Sequence, residues 1–347
     1  MRHDYDKLKR FGSQVMVNAG LEAEEADLLM ENLLYADSRG VGSHGISRLI
    51  NYSMRVKSGV ITPGANVKII NDAPSALALD GCNGIGAKIG RQAIDLCIAR
   101  AKDTGCCTAT VKNGNHFGVG AFYTDYAAKQ GMIAFVVSNS EAVVAPTGGS
   151  KPMLGTNPLS IAVPAKRNNS FNLDMATSLV ARGKVVLAQK EGHSIPHGWA
   201  IDKNGVDTTD PAAVLDGGCM LPFGGAKGYG ISLFIDLMCS GLGGAMNCRN
   251  TSHFWTDFEH PQNIGYFMIV IDPAKFLPVD TFLNRVDDIL DEFKACPPAP
   301  GVERVFVPGE IEASREKCSG EQGIELPDAV VREMYEVGKT YGVAAEF

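Results

Sequence analysis

A short glycine-rich stretch carries residue types that suit proton transfer and anion binding. The stretch RGVGSHGISR contains Ser43, His44 and Arg48, and Tyr52 follows four residues later. If a helix begins near Gly45, the imidazole, the guanidinium and the phenol share one helical face. Such a face could bind a carboxylate and exchange a proton. The alternative interpretation is structural: Ser43 caps the helix, and the other side chains lie on its surface.

The same stretch, from Gly40 to Gly45, also matches G-x-G-x-x-G, the pattern of a dinucleotide-binding turn. In that motif a strand precedes the glycines, and an acidic residue follows about 20 residues later. Here a predicted helix precedes the glycines, and no Asp or Glu occurs between Gly45 and Asp72. The sequence therefore argues against a Rossmann-type turn at this position.

A second stretch, VKNGNHFGVGA, places His116 directly after a predicted strand and among glycines. Proteins of the α/β class keep their sites at the C-terminal ends of strands. Glycines let a ligand approach the backbone closely. The alternative is a packed loop with an incidental histidine, which is harder to accept in a chain with 7 histidines.

Two further stretches could bind a phosphate or a carboxylate. In TGGSKPMLGTNPLSIAVP, the region around Thr156 and Asn157 offers backbone N–H groups and an uncharged amide. We expect Thr156 to contact a substrate and Asn157 to contact a cofactor, although two tight turns would explain the pattern equally well. In GGAKGYG, Lys227 stands at the start of a predicted helix, which suits a phosphate. The alternative is a solvated lysine.

Composition limits the class of protein. The 347 residues carry a net charge of -7 and no Lys/Arg-rich run, so we expect no nucleic-acid partner. The most apolar helical stretch is too short to span a bilayer and contains Asp236, so we expect no membrane partner. The 9 cysteines include no C-x-x-C pair and indicate a reduced, cytoplasmic protein. His193 and His197 have helical spacing, but Pro196 between them argues against a metal pair, and we expect no metal.

The chemical motifs must be positioned by an α/β fold. From about residue 76, strand patterns alternate with helix patterns, which predicts a sheet covered by helices. Residues 159–176 read as a hairpin, so we expect a mixed sheet. Helix patterns open the chain and also close it. We expect an N-terminal helical segment, 1–70, joined by about 311–347, and a central α/β domain, 71–310.

Six motifs in fixed order resemble the type-2 malate/L-lactate dehydrogenase family: DSRGVGSHGISRL, GNHFG, GTNPLSIAVP, LDMAT, KGYG and VPGE. The resemblance covers nearly the whole chain. It implies a non-Rossmann NAD(P)-binding α/β fold with a mixed sheet and a helical subdomain from both chain ends. It also implies a homodimer with sites near the subunit interface, and NAD as the cofactor, with NADP as the alternative.

The resemblance also implies roles for individual residues. His116 matches the proton acceptor of some members, His44 matches the proton donor of others, and Arg48 matches a carboxylate-binding position. We add Tyr52 as a substrate contact from its position beside Arg48. The positions that match cofactor contacts are Ser140, Asp174, Met175, Ala176, Lys227, Pro308, Gly309 and Glu310.

The predicted function is interconversion of a 2-oxo acid and a 2-hydroxy acid, of the malate/oxaloacetate or lactate/pyruvate type, by hydride transfer with histidine acid/base catalysis. The alternatives within the family are ureidoglycolate or sulfolactate dehydrogenase and cyclic imino-acid reductase. A small-molecule binding protein without activity is the alternative from another class.

Overall fold

The computed structural model describes residues 2–347, apart from the side chain of Lys190. The helices are α1 (Tyr5–Ala19), α2 (Ala23–Ser38), α3 (Leu49–Lys57), α4 (Gly86–Thr104), α5 (Ala121–Lys129), α6 (Arg182–Glu191), α7 (Pro211–Leu215), α8 (Ala226–Asp236), α9 (Val279–Lys294), α10 (Glu310–Gln322) and α11 (Asp328–Tyr341). The strands are β1 (Arg2–His3), β2 (Lys68–Ala73), β3 (Ala76–Asp80), β4 (Cys106–Gly114), β5 (Ile133–Ser138), β6 (Leu159–Val163), β7 (Phe171–Met175), β8 (Ala200–Ile201), β9 (Cys219–Met220), β10 (Ile264–Ile271) and β11 (Ile324–Glu325).

The central sheet has seven strands in the order β2-β3-β4-β10-β5-β6-β7. The β3–β4 pair is parallel, and the other neighbouring pairs are antiparallel. The predicted mixed sheet with flanking helices is therefore confirmed. Strand β10 is apolar and mostly buried because helices cover both of its faces.

Helices α4 and α5 pack on one face of the sheet, where Ile94, Val111 and Tyr123 belong to one buried cluster. Helix α8 packs on the other face, where Ile235 contacts a cluster that includes Phe267. Helix α8 continues beyond Asp236, but it changes to π geometry over Leu237–Leu242. The Ser240 hydroxyl donates to the carbonyl of Asp236, a bond that competes with regular helical pairing.

Helices from both ends of the chain pack together. Helices α1, α2, α3 and α11 contribute to one hydrophobic cluster, which contains Leu8, Leu33, Tyr52 and Met334. Helix α1 begins where the Asp4 side chain accepts the Lys7 N–H, and it ends at Gly20, whose φ is 121°. This cluster fixes the position of α3, the helix that carries Tyr52.

The segment between α2 and α3 corrects one prediction. Instead of a helix that begins near Gly45, two 3₁₀ turns cover Gly42–His44 and Ile46–Arg48, and α3 begins at Leu49. Asp37 fixes this shape, because its Oδ2 accepts the Ile46 N–H at 2.7 Å. A Cβ at Gly45 would overlap the Asp37 carboxylate, so this close approach requires glycine.

A smaller cluster joins the β5–β6 segment, α6 and β9, and it contains Val144, Val185 and Met220. Asn204 and Gly205 form a tight turn, in which the Gly205 N–H donates to Asp202 O at 3.0 Å and Gly205 has a φ of 84°. Within residues 2–347, none of the helices combines the length and the apolar character that a bilayer crossing requires.

Candidate active site

Two histidines that are far apart in sequence face each other in the structure. The rings of His44 and His116 stack with a centroid distance of 5.8 Å and an interplanar angle of 21°. His44 comes from the first 3₁₀ turn, and His116 comes from the loop that follows β4. Tyr52, in α3, contacts the edge of the His116 ring at 5.8 Å. Three separate parts of the chain therefore meet at one place.

The ring of His116 is held through one of its nitrogens. The Tyr52 hydroxyl lies 2.5 Å from His116 Nδ1, and the Gly118 N–H donates to the same nitrogen at 3.2 Å. The His116 backbone N–H donates to Gln262 Oε1 at 3.0 Å. Because the protein occupies Nδ1, Nε2 is the nitrogen that can meet a ligand.

Tyr52 is not placed to contact a substrate directly. Its side chain is 0% exposed and packs behind His116 and against Phe254, with a ring distance of 5.2 Å. The predicted substrate contact by Tyr52 does not fit this position. Tyr52 can act only through His116, because the hydroxyl is bonded to Nδ1 and to the His116 carbonyl at 3.2 Å.

Arg48 lies beside the two histidines and is nearly buried. Its Nε donates to Ser43 O at 2.7 Å, and the Ser43 hydroxyl lies 3.0 Å from His44 Nδ1. The guanidinium stacks on Trp255, 4.6 Å from the ring centroid, and on Phe254 at 5.5 Å. A planar guanidinium with one nitrogen anchored suits a carboxylate ligand.

Burial and nearby cations keep both imidazoles neutral. Burial first, and then the positive charge of Arg48, lower the pKa of His44 well below its ordinary value. The same two causes, with smaller contributions from His44 and Arg55, lower the pKa of His116. Burial also lowers the pKa of Arg48, and the negative charge of Glu141 opposes that shift. At neutral pH the site therefore combines two neutral bases with guanidinium groups.

Ser140, predicted to contact the cofactor, and Thr156, predicted to contact the substrate, are bonded to each other between the end of β5 and the start of β6. Thr156 N–H donates to Ser140 Oγ at 3.1 Å, and Thr177 N–H donates to Thr156 O at 2.8 Å. Phe223 N–H donates to Thr177 O at 3.1 Å, which fixes the loop before α8. Lys227 lies exposed in the first turn of that helix, as its position in the sequence predicts.

Asn157 is an exception within this group. Its side chain is fully buried, and its Nδ2 donates to Ser232 O at 2.9 Å. Its Oδ1 accepts the Ser140 N–H at 3.2 Å and the Cys248 thiol at 3.3 Å. The amide is therefore used by the protein, and the predicted cofactor contact by this side chain does not fit. Asn157 instead holds Ser140 in position.

Asp174 lies at the end of β7, close to the His116 loop. Its Oδ2 accepts the Ala121 N–H at 3.1 Å. Although the residue keeps contact with solvent, protein atoms around the carboxylate displace water and raise its pKa to about 6. Met175 and Ala176 follow along the chain and are half-buried.

The Pro308–Glu310 turn docks onto the same strand. Asn172 N–H donates to Pro308 O at 3.0 Å. Gly309 has a φ of 92°, and a Cβ there would meet the Asn172 backbone at 3.0 Å, so the turn requires glycine. Glu310 opens α10 and pairs with Arg304 at 2.7 Å.

These residues have the chemistry that a nicotinamide dinucleotide needs. A partly exposed carboxylate, at Asp174, can accept hydrogen bonds from ribose hydroxyls. An exposed cation at a helix N-terminus, at Lys227, suits a phosphate. Asp174 is bonded to Ala121, which begins the helix after the His116 loop, and the loop before Lys227 is bonded to Thr177 through Phe223.

Several residues of the site were not predicted from the sequence. Phe254 and Trp255 form a wall beside Arg48, Gln262 bonds the His116 backbone, and Asp37 fixes the turn that carries His44. The one available signal was the aromatic pair in the polar stretch SHFWTDFEHP. Among residues 2–347, no group of three or more His, Cys, Asp or Glu side chains is arranged to hold a metal ion.

Comparison with known proteins identifies the class of enzyme to which this chain belongs. The chain is 36% identical to a malate dehydrogenase of Pyrococcus horikoshii, over 97% of this chain and 95% of that protein. It is 37% identical to an L-sulfolactate dehydrogenase of Methanocaldococcus jannaschii, over 97% of this chain and 96% of that protein. The solved sulfolactate dehydrogenase structure from M. jannaschii superposes with a TM-score of 0.92 at 36% identity, covering 100% of this chain and 99% of that one. Fold and sequence together define a dehydrogenase of hydroxy acids.

The family follows from the same similarity. The model of the malate/L-lactate dehydrogenase family matches residues 3–335. The chain belongs to this family, and the resemblance read from the six motifs is confirmed.

Proposed function

We propose that the protein interconverts a 2-oxo acid and a 2-hydroxy acid with NAD, or alternatively NADP, and that its substrates are of the malate/oxaloacetate or lactate/pyruvate type. The observation that carries the proposal is the stacking of His44 on His116 beside the guanidinium of Arg48. A carboxylate bound at the guanidinium brings the adjacent carbon and its oxygen toward the imidazoles.

Each of the three side chains has a role in this proposal. Arg48 binds the substrate carboxylate through the nitrogens that Ser43 O does not occupy. His116 exchanges the proton of the substrate oxygen at Nε2, because Tyr52 and Gly118 hold its other nitrogen. His44 orients the substrate from the opposite ring. To accept a proton at Nε2, neutral His116 carries its other proton on Nδ1, which then donates to the Tyr52 hydroxyl. The Gly118 N–H can donate to Nδ1 only in the tautomer whose proton is on Nε2.

The dinucleotide supplies the hydride for the substrate carbon when it is bound. Asp174 and the residues that follow it would bind the ribose hydroxyls, and Lys227 would bind a phosphate. Ser140 and the Pro308–Glu310 turn would complete the cofactor site, and Thr156, bonded to Ser140, would contact the substrate. Hydrogen bonds join Thr156 to Ser140 and attach the Pro308–Glu310 turn to β7, the strand that carries Asp174, which supports a shared binding surface.

The test is a screen of NADH and NADPH oxidation with oxaloacetate, pyruvate, sulfopyruvate, other 2-oxo acids and cyclic imines, followed by the reverse reaction with the best product. We expect turnover of at least one 2-oxo acid, with a preference measured as a ratio of kcat/KM values. Faster reduction of a cyclic imine would favour the imine-reductase alternative. Binding of NADH without turnover of any compound would favour a binding protein and contradict the proposal.

We also propose that the protein is a homodimer of identical chains. Contiguous exposed apolar patches typically mark protein interfaces. Exposed large apolar side chains cluster along α8 and the segment that follows it: Ile231, Leu233, Phe234, Leu237, Leu242 and Met246. Sedimentation equilibrium should give twice the mass of one chain. Leu237→Asp should shift the equilibrium toward monomer, whereas a monomeric parent protein would contradict the proposal.

A further inference from the structure

The loop before β10 forms one wall of the site. Phe254, which is 1% exposed, contacts the His116 ring at 4.8 Å and the Tyr52 ring at 5.2 Å. Trp255 is 40% exposed and lies against the Arg48 guanidinium at 4.6 Å. The buried Phe254 ring therefore supports His116 from the core, and the partly exposed Trp255 ring supports Arg48 at the protein surface.

A buried arginine ties this loop to α3. Arg55 is 0% exposed, and its terminal nitrogens donate to three backbone carbonyls of the loop: Asp257 at 2.5 Å, His260 at 3.4 Å and His253 at 3.5 Å. Burying a guanidinium is costly unless its donors are bonded. Here the two terminal nitrogens bond the loop backbone, whereas Nε is buried without a hydrogen-bond partner. The terminal nitrogens therefore hold the loop against α3, the helix that also carries Tyr52.

The stacking constrains Arg48. Its Nε is fixed by Ser43 O, and Trp255 covers one face of the guanidinium, so rotation of the plane would break both contacts. A guanidinium stacked in this way presents the N–H groups of its edge to a carboxylate, and the orientation of the guanidinium is fixed before the carboxylate binds.

We propose that Trp255 is a positioning residue that holds the guanidinium of Arg48 in the orientation that binds the substrate carboxylate, and that Arg55 keeps Trp255 in place by tying its loop to α3. The proposal rests on the carboxylate-binding role proposed above for Arg48. It concerns binding of the acid rather than proton exchange, so its effects should fall on KM and not on kcat.

The test compares Trp255→Ala, Trp255→Phe and Arg55→Lys with the parent enzyme. Trp255→Ala should raise KM for the preferred 2-oxo acid by about 2- to 30-fold, the range expected for loss of a cation–π contact, with kcat changed less than twofold. Trp255→Phe should recover most of this loss, because a ring remains over the guanidinium. Arg55→Lys should raise KM similarly, because one ammonium cannot span three carbonyls.

A matched control removes an arginine–aromatic contact elsewhere. Arg91 stacks on Tyr126 at 3.7 Å between α4 and α5, and Tyr126→Ala should leave KM unchanged. Thermal unfolding of every variant separates lost binding from lost folding. If Trp255→Ala leaves KM unchanged while Arg48→Lys raises it, the positioning role is overturned and the proposed function stands.

A spectroscopic readout keeps the inference testable even if no acid is turned over. The chain has 2 tryptophans, so a Trp199→Phe background makes Trp255 the single reporter. Oxalate should change the Trp255 emission, and Arg55→Lys should shift the emission to the red and raise the oxalate Kd. This result without turnover would support the positioning role and reject the proposed function. No response to oxalate in the parent, or an unchanged Kd in Arg55→Lys, would overturn the positioning role.

Discussion

Replacing Tyr52 with phenylalanine tests whether His116 depends on the group behind it. The substitution removes one hydroxyl and keeps the ring, which still packs against Phe254. It leaves His116 Nδ1 with only the longer bond from Gly118, at 3.2 Å. The imidazole then loses the contact that fixes its orientation toward the substrate oxygen.

The structure sets the expected size of this effect. Loss of one partner of a buried hydrogen bond costs about 1–3 kcal/mol. The remaining Gly118 bond places the change in the lower half of that range, and about 1.4 kcal/mol corresponds to a tenfold change in rate. We expect kcat for the preferred acid to fall about tenfold, with KM nearly unchanged because Arg48 is untouched.

The assay is steady-state kinetics in both directions, with unfolding by denaturant measured in parallel. Tyr123→Phe is the matched control, because Tyr123 is equally buried but its hydroxyl donates to Phe117 O at 2.6 Å. The control should lose comparable stability and keep its kcat. Equal kcat values in Tyr52→Phe and the parent, or a rise in KM alone, would refute the role given to Tyr52.

Four further outcomes are expected. His116→Ala should lower kcat about a hundredfold or more, the usual size of general acid–base loss, and normal turnover in this variant would move the role to His44. Arg48→Lys should raise KM for the acid about tenfold or more because a bidentate pair is lost, and an unchanged KM would reject the carboxylate clamp. Since burial and Arg48 lower the pKa of both histidines, both imidazoles should stay neutral at pH 6.5 and somewhat below it. The kcat/KM for hydroxy-acid oxidation should therefore stay constant as the pH falls to 6.5, and a decline that begins above pH 6.5 would contradict this. Burial raises the pKa of Asp37 from 3.8 to about 7, so this carboxyl ionises at lower pH in the unfolded chain than in the folded protein, and the folded protein loses stability as the pH rises from about 4 to 7. Asp37→Asn cannot ionise, so its stability relative to the parent should increase across this range. A difference in denaturant midpoints that stays constant with pH would contradict this expectation.

The elements of the fold that could be predicted have strong local patterns. Strand β10 is a continuous apolar run, and α1 has an apolar stripe with a glycine stop, so both are visible within their own residues. Strand β2 was missed because KIINDA lies at the sheet edge with its side chains mostly exposed, and it has no alternating pattern. The 3₁₀ turns before α3 were missed because their shape depends on a hydrogen bond from Ile46 to Asp37, nine residues earlier, which the pattern of neighbouring residues does not reveal.

Residues of the candidate site could be predicted only where a chemically active side chain lies within a recognisable sequence motif. His44, Arg48 and His116 stand in glycine-rich loops, and both residue type and context mark them. Trp255 was not predictable, because its partner Arg48 lies about two hundred residues away and no spacing rule connects them. Burial could not be predicted either. Asn157 looked like a ligand contact, but the pairing of its amide with Ser232 depends on how α8 packs.

In the proposed function, the charges of the site would link substrate binding to proton transfer. Besides burial, Arg48 helps to keep both histidines neutral, because it repels a second positive charge nearby. If Arg48 binds the substrate carboxylate as proposed, the negative charge would offset that repulsion and raise the pKa of both imidazoles. Binding of a 2-oxo acid would then favour the protonated histidine that its reduction needs, whereas a neutral carbonyl compound would bring no such change. Preference for acids would then arise in the chemical step as well as in binding, since the carboxylate bound by the guanidinium would also favour the protonated form of the donor.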